Sequence, residues 1–475
     1  MLFVESRTLR EAVDGATRRL LLEKLQERGL VPLVRSARLH LYELALGGPE
    51  RAHDMESAVA ARTEIEGDAP YVRGDLFCFD DYAHFLIFSD GAGGLRAGII
   101  HEPEAADPRD KLEVFCRHIS DSLAETRGAA GGGGSNGHGE HSPASWEDET
   151  AGVPESYSRF AAAHKDGPLF ATRGEMVEGW LRNSGMLEDT EARRALRKLN
   201  EAGREGHGHT YLSGDDREAI PEPLLGRFAE AGLIRREILV SCRKDGRSLF
   251  RLPSPDALSV LSNAICSECG ASIADEKAEE IIVPTSLVST LLQDSAWLTT
   301  HLRSVLSKQG IPEEWIAARP AAGADGEVQL MANVCGEPFL LLARDGDWTA
   351  AHARRALEDH GGVEGAHLVV VATGKIHEDA RHRLREQARR RAQAGREQEL
   401  IFAEGMDALA AELQPALERA SNRAVSEALW ELDTTLGMNV GFMVAARFRM
   451  MRGHVALRDV AASAAGAAAG SLMEF

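Results

Sequence analysis

Positive charge is what this sequence is short of: 54 Lys and Arg face 74 Asp and Glu, a net charge of −20 over 475 residues, and that excludes a mainly basic nucleic-acid coat. Any grip on nucleic acid must be local. Cysteine is scarce as well. Six residues are too few for a secreted disulfide scaffold, and only Cys266 and Cys269 form a CxxC pair, so metal is favoured over disulfide and the compartment is expected to be reducing. Nothing approaches the roughly 18 consecutive apolar residues of a membrane span, and Met1-Leu2-Phe3-Val4-Glu5 lacks a cationic start followed by an apolar run. The expectation is a soluble, cytoplasmic protein with no membrane partner. An apolar content of 44% closes several cores and rules out a disordered chain. At roughly 100 to 200 residues per domain, the length predicts two to four domains.

The fold class expected is α/β and multidomain. Residues 1–126 read as an α+β domain of unreadable role. It opens with a helix on Leu9, Ala12, Val13, Ala16, Leu20 and Leu25, followed by β-like runs at Ala37 to Leu46, Leu76 to Ser89 and Ala97 to Ile100, then a helix from Pro108 to Glu125. Gly91 to Gly94 reads as a hairpin turn. Residues 127–155 are Gly, Ser, Ala, His and acids, and read as a flexible linker between independently moving bodies. Residues 156–241 form a helical module with Met176, Trp180, Leu181 and Leu187 as core. His207 and His209 lie in a loop, without a Cys or acidic partner at a fixed offset. A helix at Pro223 to Ala231, Gly232 and a strand at Leu233 to Val240 resemble the end of a winged helix, which would place Arg235 and Arg236 near phosphate or leave the module to packing alone.

Two short frames share one pattern: Cys242-Arg243-Lys244-Asp245-Gly246 and Cys266-Ser267-Glu268-Cys269-Gly270. Each resembles a zinc knuckle, in which a tight turn permitted by glycine presents thiolates, and two such turns complete a tetrahedral site. The expected ligands are Cys242, Asp245, Cys266 and Cys269, in a degenerate ribbon over residues 242–283 holding structural zinc. The alternative is that the cysteines are small buried hydrophobes.

Residues 284–420 read in the order αββαβα. A long amphipathic helix spans Leu287 to Leu306, and a hairpin at Glu327 to Asn333 and Glu337 to Ala343 turns around Gly336. A helix at Thr349 to Asp359, a buried strand at His367 to Ala372, a helix at Lys375 to Gln393, a strand at Leu400 to Phe402 and a helix at Met406 to Ala420 follow. This hairpin, the strand with Gly374 after it and the upstream ribbon resemble restriction-endonuclease-like domains of the PD-(D/E)xK class, in the Mrr-related branch. The resemblance implies an Asp on the first strand and Glu-x-Lys on the second, holding a divalent metal that orients water against a phosphodiester. The matching positions here are Gln329, Leu342 and Arg344. Gln has one neutral oxygen, Leu has none, and Arg is a permanent cation, so hydrolysis should be lost. The implied protein is a pseudoenzyme in DNA transactions or defence against foreign DNA.

Two alternatives stand beside it. Glu327, Glu337, Asp345 or Asp347 could converge on Mg²⁺ as relocated acids, giving an active nuclease, or the chain could be an assembly scaffold that never meets nucleic acid. The segment Lys375 to Arg396 carries Arg381, Arg385, Arg389 and Arg390 in a cationic stripe suited to DNA or RNA backbone, or to acids of other domains. Residues 421–475 are Met- and Ala-rich, and are expected to dock on the core or to bind a protein partner or second copy.

Overall fold

The computed structural model describes residues 1–66, 71–89, 94–130, 145–149, 153–162, 185–204, 220–260, 264–292, 295–319, 326–360, 365–392, 398–436 and 439–451. It is a mixed α/β structure, with three sheets among the described residues.

The first sheet is antiparallel. Strands β1 (Phe3–Leu9), β2 (Gly74–Cys78), β3 (Tyr82–Phe88), β4 (Leu95–His101) and β5 (Glu147–Glu149) lie in the order β2-β3-β4-β1-β5. Leu9 ends a strand rather than opening a helix. The helix begins at Gly15, where Asp14 accepts the Thr17 N–H at 2.7 Å as an N-cap. Ala37 to Leu46, expected as β-like, belongs to helix Leu33–Leu46, which Gly47 stops in the left-handed conformation. β5 lies inside the segment expected to be linker and pairs with β1, so that stretch returns to the sheet.

One face of this sheet packs on helices Gly15–Glu27 and Pro108–Ala130 through Leu21, Leu25, Phe77, Phe88, Phe115 and Ile119. The other face is covered from the far end of the chain. Val425, Leu429 and Leu432 of helix Met406–Leu436, and Val440, Val444 and Phe448 of helix Val440–Met451, close over Leu76, Phe85, Ile87 and Ile100. The hydroxyl of Ser421 accepts the Leu2 N–H at 2.6 Å and donates to the Leu2 carbonyl at 2.8 Å, and Arg96 donates to the Ala428 carbonyl at 2.6 Å. The C-terminal segment is therefore the second layer of the N-terminal unit. Phe448→Asp should cost roughly 3–5 kcal/mol by burying a charge where an aromatic ring packed. Hydrogen exchange should show lost protection in β2 and β3 while the strands Glu327–Val334 and Glu337–Arg344 of a separate sheet keep theirs.

The second sheet joins β6 (Ile234–Ser241), β7 (Ser248–Leu252) and β8 (Lys277–Pro284) in the order β7-β6-β8. Helix Glu222–Glu230 and Gly232, in the left-handed conformation, precede it. Residues 163–184 and 205–219, with Met176, Trp180, Leu181, His207 and His209, lie outside the described residues, as do Gly91 to Gly93 and residues 131–144.

The third sheet holds β9 (Ile316–Arg319), β10 (Glu327–Val334), β11 (Glu337–Arg344), β12 (His367–Ala372) and β13 (Leu400–Glu404), in the order β13-β12-β11-β10-β9. β9, β10 and β11 are antiparallel, while β11, β12 and β13 run parallel. β9 was not expected, and the leading helix divides into Ser286–Leu292 and Ala296–Lys308 around Ser295, whose φ is +54°. Side chains alternate across the sheet. Leu330, Leu341 and Val369 face helices Ala296–Lys308 and Thr190–Arg204, and Met331, Leu342 and Val370 face helices Ala350–His360 and Glu378–Ala392.

Candidate functional site

The two knuckle frames fold into the same turn twice. The Cys242 N–H donates to the Arg247 carbonyl at 2.8 Å and the Gly246 N–H to the Cys242 carbonyl at 2.8 Å. The Cys266 N–H donates to the Ala271 carbonyl at 2.7 Å and the Gly270 N–H to the Cys266 carbonyl at 2.9 Å. Gly246 and Gly270 have φ of +75° and +76°, where a side chain would be strained. The Sγ atoms of Cys242, Cys266 and Cys269 and a carboxylate oxygen of Glu276 all lie within 4.8 Å of one another, a group able to hold a metal ion.

The fourth member is Glu276, not Asp245. The short Asp245 side chain closes its own turn by accepting the Arg247 N–H at 3.1 Å and faces the Arg247 guanidinium at 3.7 Å. Glu276 arrives from the 3₁₀ turn Ile273–Asp275 at the start of β8. One oxygen accepts the Arg243 N–H, and the other accepts from Cys269 Sγ at 2.8 Å. That hydrogen bond pushes the Cys269 thiol up to about 12. Glu276 was missed because no fixed spacing ties it to a knuckle.

In the third sheet Gln329 pairs directly with Leu342 and Glu327 with Arg344. Alternation puts all four on one face, so the positions singled out in the sequence come together. They do not assemble a carboxylate site. Leu342 is buried against Trp348 and Ala380, and Arg344 donates to Glu327 at 3.0 Å.

The other acids disperse. Asp345 points to the opposite face, is buried, accepts from Thr373 Oγ1 at 2.9 Å, and pairs with Arg193 at 3.3 Å and with Arg197. Glu337 stands at the other end of β11, about 23 Å from Arg344 at ~3.3 Å per residue. Burial opposes its charge, but hydrogen bonds from Arg423 at 2.7 Å and His367 at 2.7 Å hold it down to about 2. Asp347 accepts the Lys375 N–H at 2.7 Å. Among the described residues, the four-residue group around Cys242 is where three or more ligand-type side chains gather.

The arginine stripe is partly neutralised. Arg381 pairs with Glu404 at 2.9 Å and lies 4.9 Å over Phe402, Arg385 pairs with Glu378 at 3.2 Å, and Arg390 pairs with Glu386. Arg383 and Arg389 are exposed. Arg236 is held by Glu222 and Glu280, whereas Arg235 is exposed. Comparison of the chain with family models, curated proteins and solved structures finds no match in any of the three. Among the described residues no helix is long and apolar enough to cross a membrane.

Proposed function

We propose that this chain is a nuclease-like protein that does not cut, and that it acts by binding nucleic-acid backbone through helix Glu378–Ala392. The observation that carries the reading is the register of β10 on β11, with Gln329 against Leu342 and an Arg344–Glu327 ion pair where metal-dependent hydrolysis needs carboxylates and a titratable base. A guanidinium bridged to the neighbouring carboxylate occupies the space electrostatically and removes its appeal to Mg²⁺. The Cys₃Glu group is assigned to zinc with a structural role. Thiolates favour a soft or borderline ion, and four protein ligands fill a tetrahedral shell without leaving a place for substrate.

Purified protein with Mg²⁺ or Mn²⁺ should leave plasmid DNA and RNA intact. Fluorescence anisotropy on duplex and single-stranded probes should show affinity falling steeply with salt, and the double variant R383A/R389A should lower the logarithmic salt slope by about 2, one for each phosphate contact. Chelator-sensitive cleavage lost in Glu327→Gln would establish the relocated-acid nuclease instead. Binding that ignores salt and the two arginines would favour the assembly scaffold.

A further inference from the structure

The N-terminal unit contains a cavity of about 430 Å³ between β3 and the start of helix Pro108–Ala130, lined by Leu30, Phe79, Tyr82, His84, Phe115 and Val114, with Asp107, Asp110, Lys111 and His118 at its polar side. Its wall is a set of preformed aromatic contacts. Phe79 stacks on Tyr82 at 4.5 Å, His84 stacks on Phe115 at 4.3 Å, and Tyr82 meets His84 edge-on at 4.9 Å. Rings fixed against one another lose little entropy when a further flat group packs on them.

The polar groups divide by sign. Lys111 is committed, with its ammonium 2.8 Å from Asp81 and 4.3 Å over the Tyr82 ring. His84 is 4% exposed, and its Nδ1 faces the Gly98 carbonyl at 3.4 Å. A neutral ring that donates there presents a lone pair at Nε2, on its far side. Burial lowers His84 to about 4, so it is neutral at physiological pH. Asp107 and Asp110 are exposed carboxylates at the rim, and Asp107 holds a left-handed φ of +48°. The cavity thus combines aromatic walls with acceptors.

We propose that this cavity binds a small aromatic amine, its ring against the Phe79–Phe115 wall, its ring N–H toward His84, and its ammonium toward Asp107 and Asp110. The site is independent of the nucleic-acid reading and gives the N-terminal unit a sensing role. Phe79 carries the signal outward, because its carbonyl accepts a hydrogen bond from Arg447 at 2.8 Å, in the helix that closes the other side of the sheet.

The test uses full-length protein and three probes of one ring system: tryptamine, indole and indole-3-acetate. Saturation-transfer NMR and calorimetry should show tryptamine binding at least about tenfold more tightly than the other two, a difference of about 1.4 kcal/mol. Asp110→Asn, at an exposed position, should erase the preference for the amine. Val114→Trp, at the mouth, should block all three probes while the far-ultraviolet circular dichroism stays unchanged. The proposal is overturned if tryptamine gives no saturation transfer, if indole-3-acetate binds as well as tryptamine, or if Val114→Trp binds tryptamine as the parent does.

Discussion

Chains carrying Cys266→Ala should lose their metal altogether, falling from about one zinc per chain to near zero by elemental analysis, and should lose the fold of the knuckle region with it. The local core around the centre is small: Val240, Cys242, Cys266 and Ile273, with Ile238, Leu249 and Phe250 beside it. Such a cluster buries too little apolar surface to order β7 and the two knuckles by itself. Apparent zinc affinities of about 10–16 kcal/mol in small metal-folded units indicate how much of the order the ion would supply. Chelation should therefore make residues 242–276 sensitive to protease, while the third sheet, with its own extensive core, stays resistant. Glu276→Gln should weaken the site more than Asp245→Asn, since Glu276 is the carboxylate grouped with all three thiols, whereas Asp245 is engaged with the Arg247 N–H of its own turn. Equal metal content in Cys266→Ala and the parent would remove zinc from the account.

Asp75→Ala should cost about 3–5 kcal/mol and unfold helix Leu33–Leu46 first. Asp75 is completely buried on β2. Its carboxylate accepts the N–H groups of Val34 at 2.7 Å, Arg35 at 2.9 Å and Leu76 at 2.8 Å, and so caps from another element a helix whose own N-cap is Pro32. Around it Arg35 meets Glu56 at 3.1 Å, and Arg38 lies over Tyr71 at 4.5 Å. Deleting the carboxylate leaves three buried donors without acceptors and two buried cations short of negative charge. Burial raises Asp75 to about 6 from 3.8, against the pull of its N–H donors. The sign follows from linkage. The folded state prefers the proton, so the part of this group's contribution that is linked to protonation is fully present below pH about 4 and declines as pH rises through about 6, while its oxygens accept the three N–H groups in either state. Denaturant titrations between pH 4 and 7 should show that slope in the parent chain and its absence in Asp75→Ala.

The same helix shows why part of the fold was illegible. Its Ala37, Leu39 and Leu41 alternate as a strand would, yet Leu41 and Leu44 are 64% and 69% exposed while Arg35 and Arg38 are buried. The inward face is ionic, so hydrophobic periodicity pointed the wrong way. The third sheet was readable because its apolar runs sit in a hairpin and two parallel strands, where pattern and environment agree. β9 was too short to register. The knuckles were legible through glycine, because φ near +75° is a local demand, whereas Glu276 depends on where a short 3₁₀ turn happens to aim a side chain. Similarly, the sequence placed Gln329, Leu342 and Arg344 in matching strands, but could not reveal that Arg193 and Arg197 take Asp345 from another module.

The covering of the first sheet by residues 425–448 has a consequence for synthesis. A ribosome delivers β1 to β4 some 320 residues before the helices that roof them, counting from His101 to Val425. At about 5–20 residues per second the bare face of Leu76, Phe85, Ile87 and Ile100 waits on the order of 16–65 s for its partner. Contacts so distant along the chain also make closure slow once translation ends. Nascent chains stalled before codon 425 should therefore be the form that holdase chaperones retain, and the finished protein the form they release.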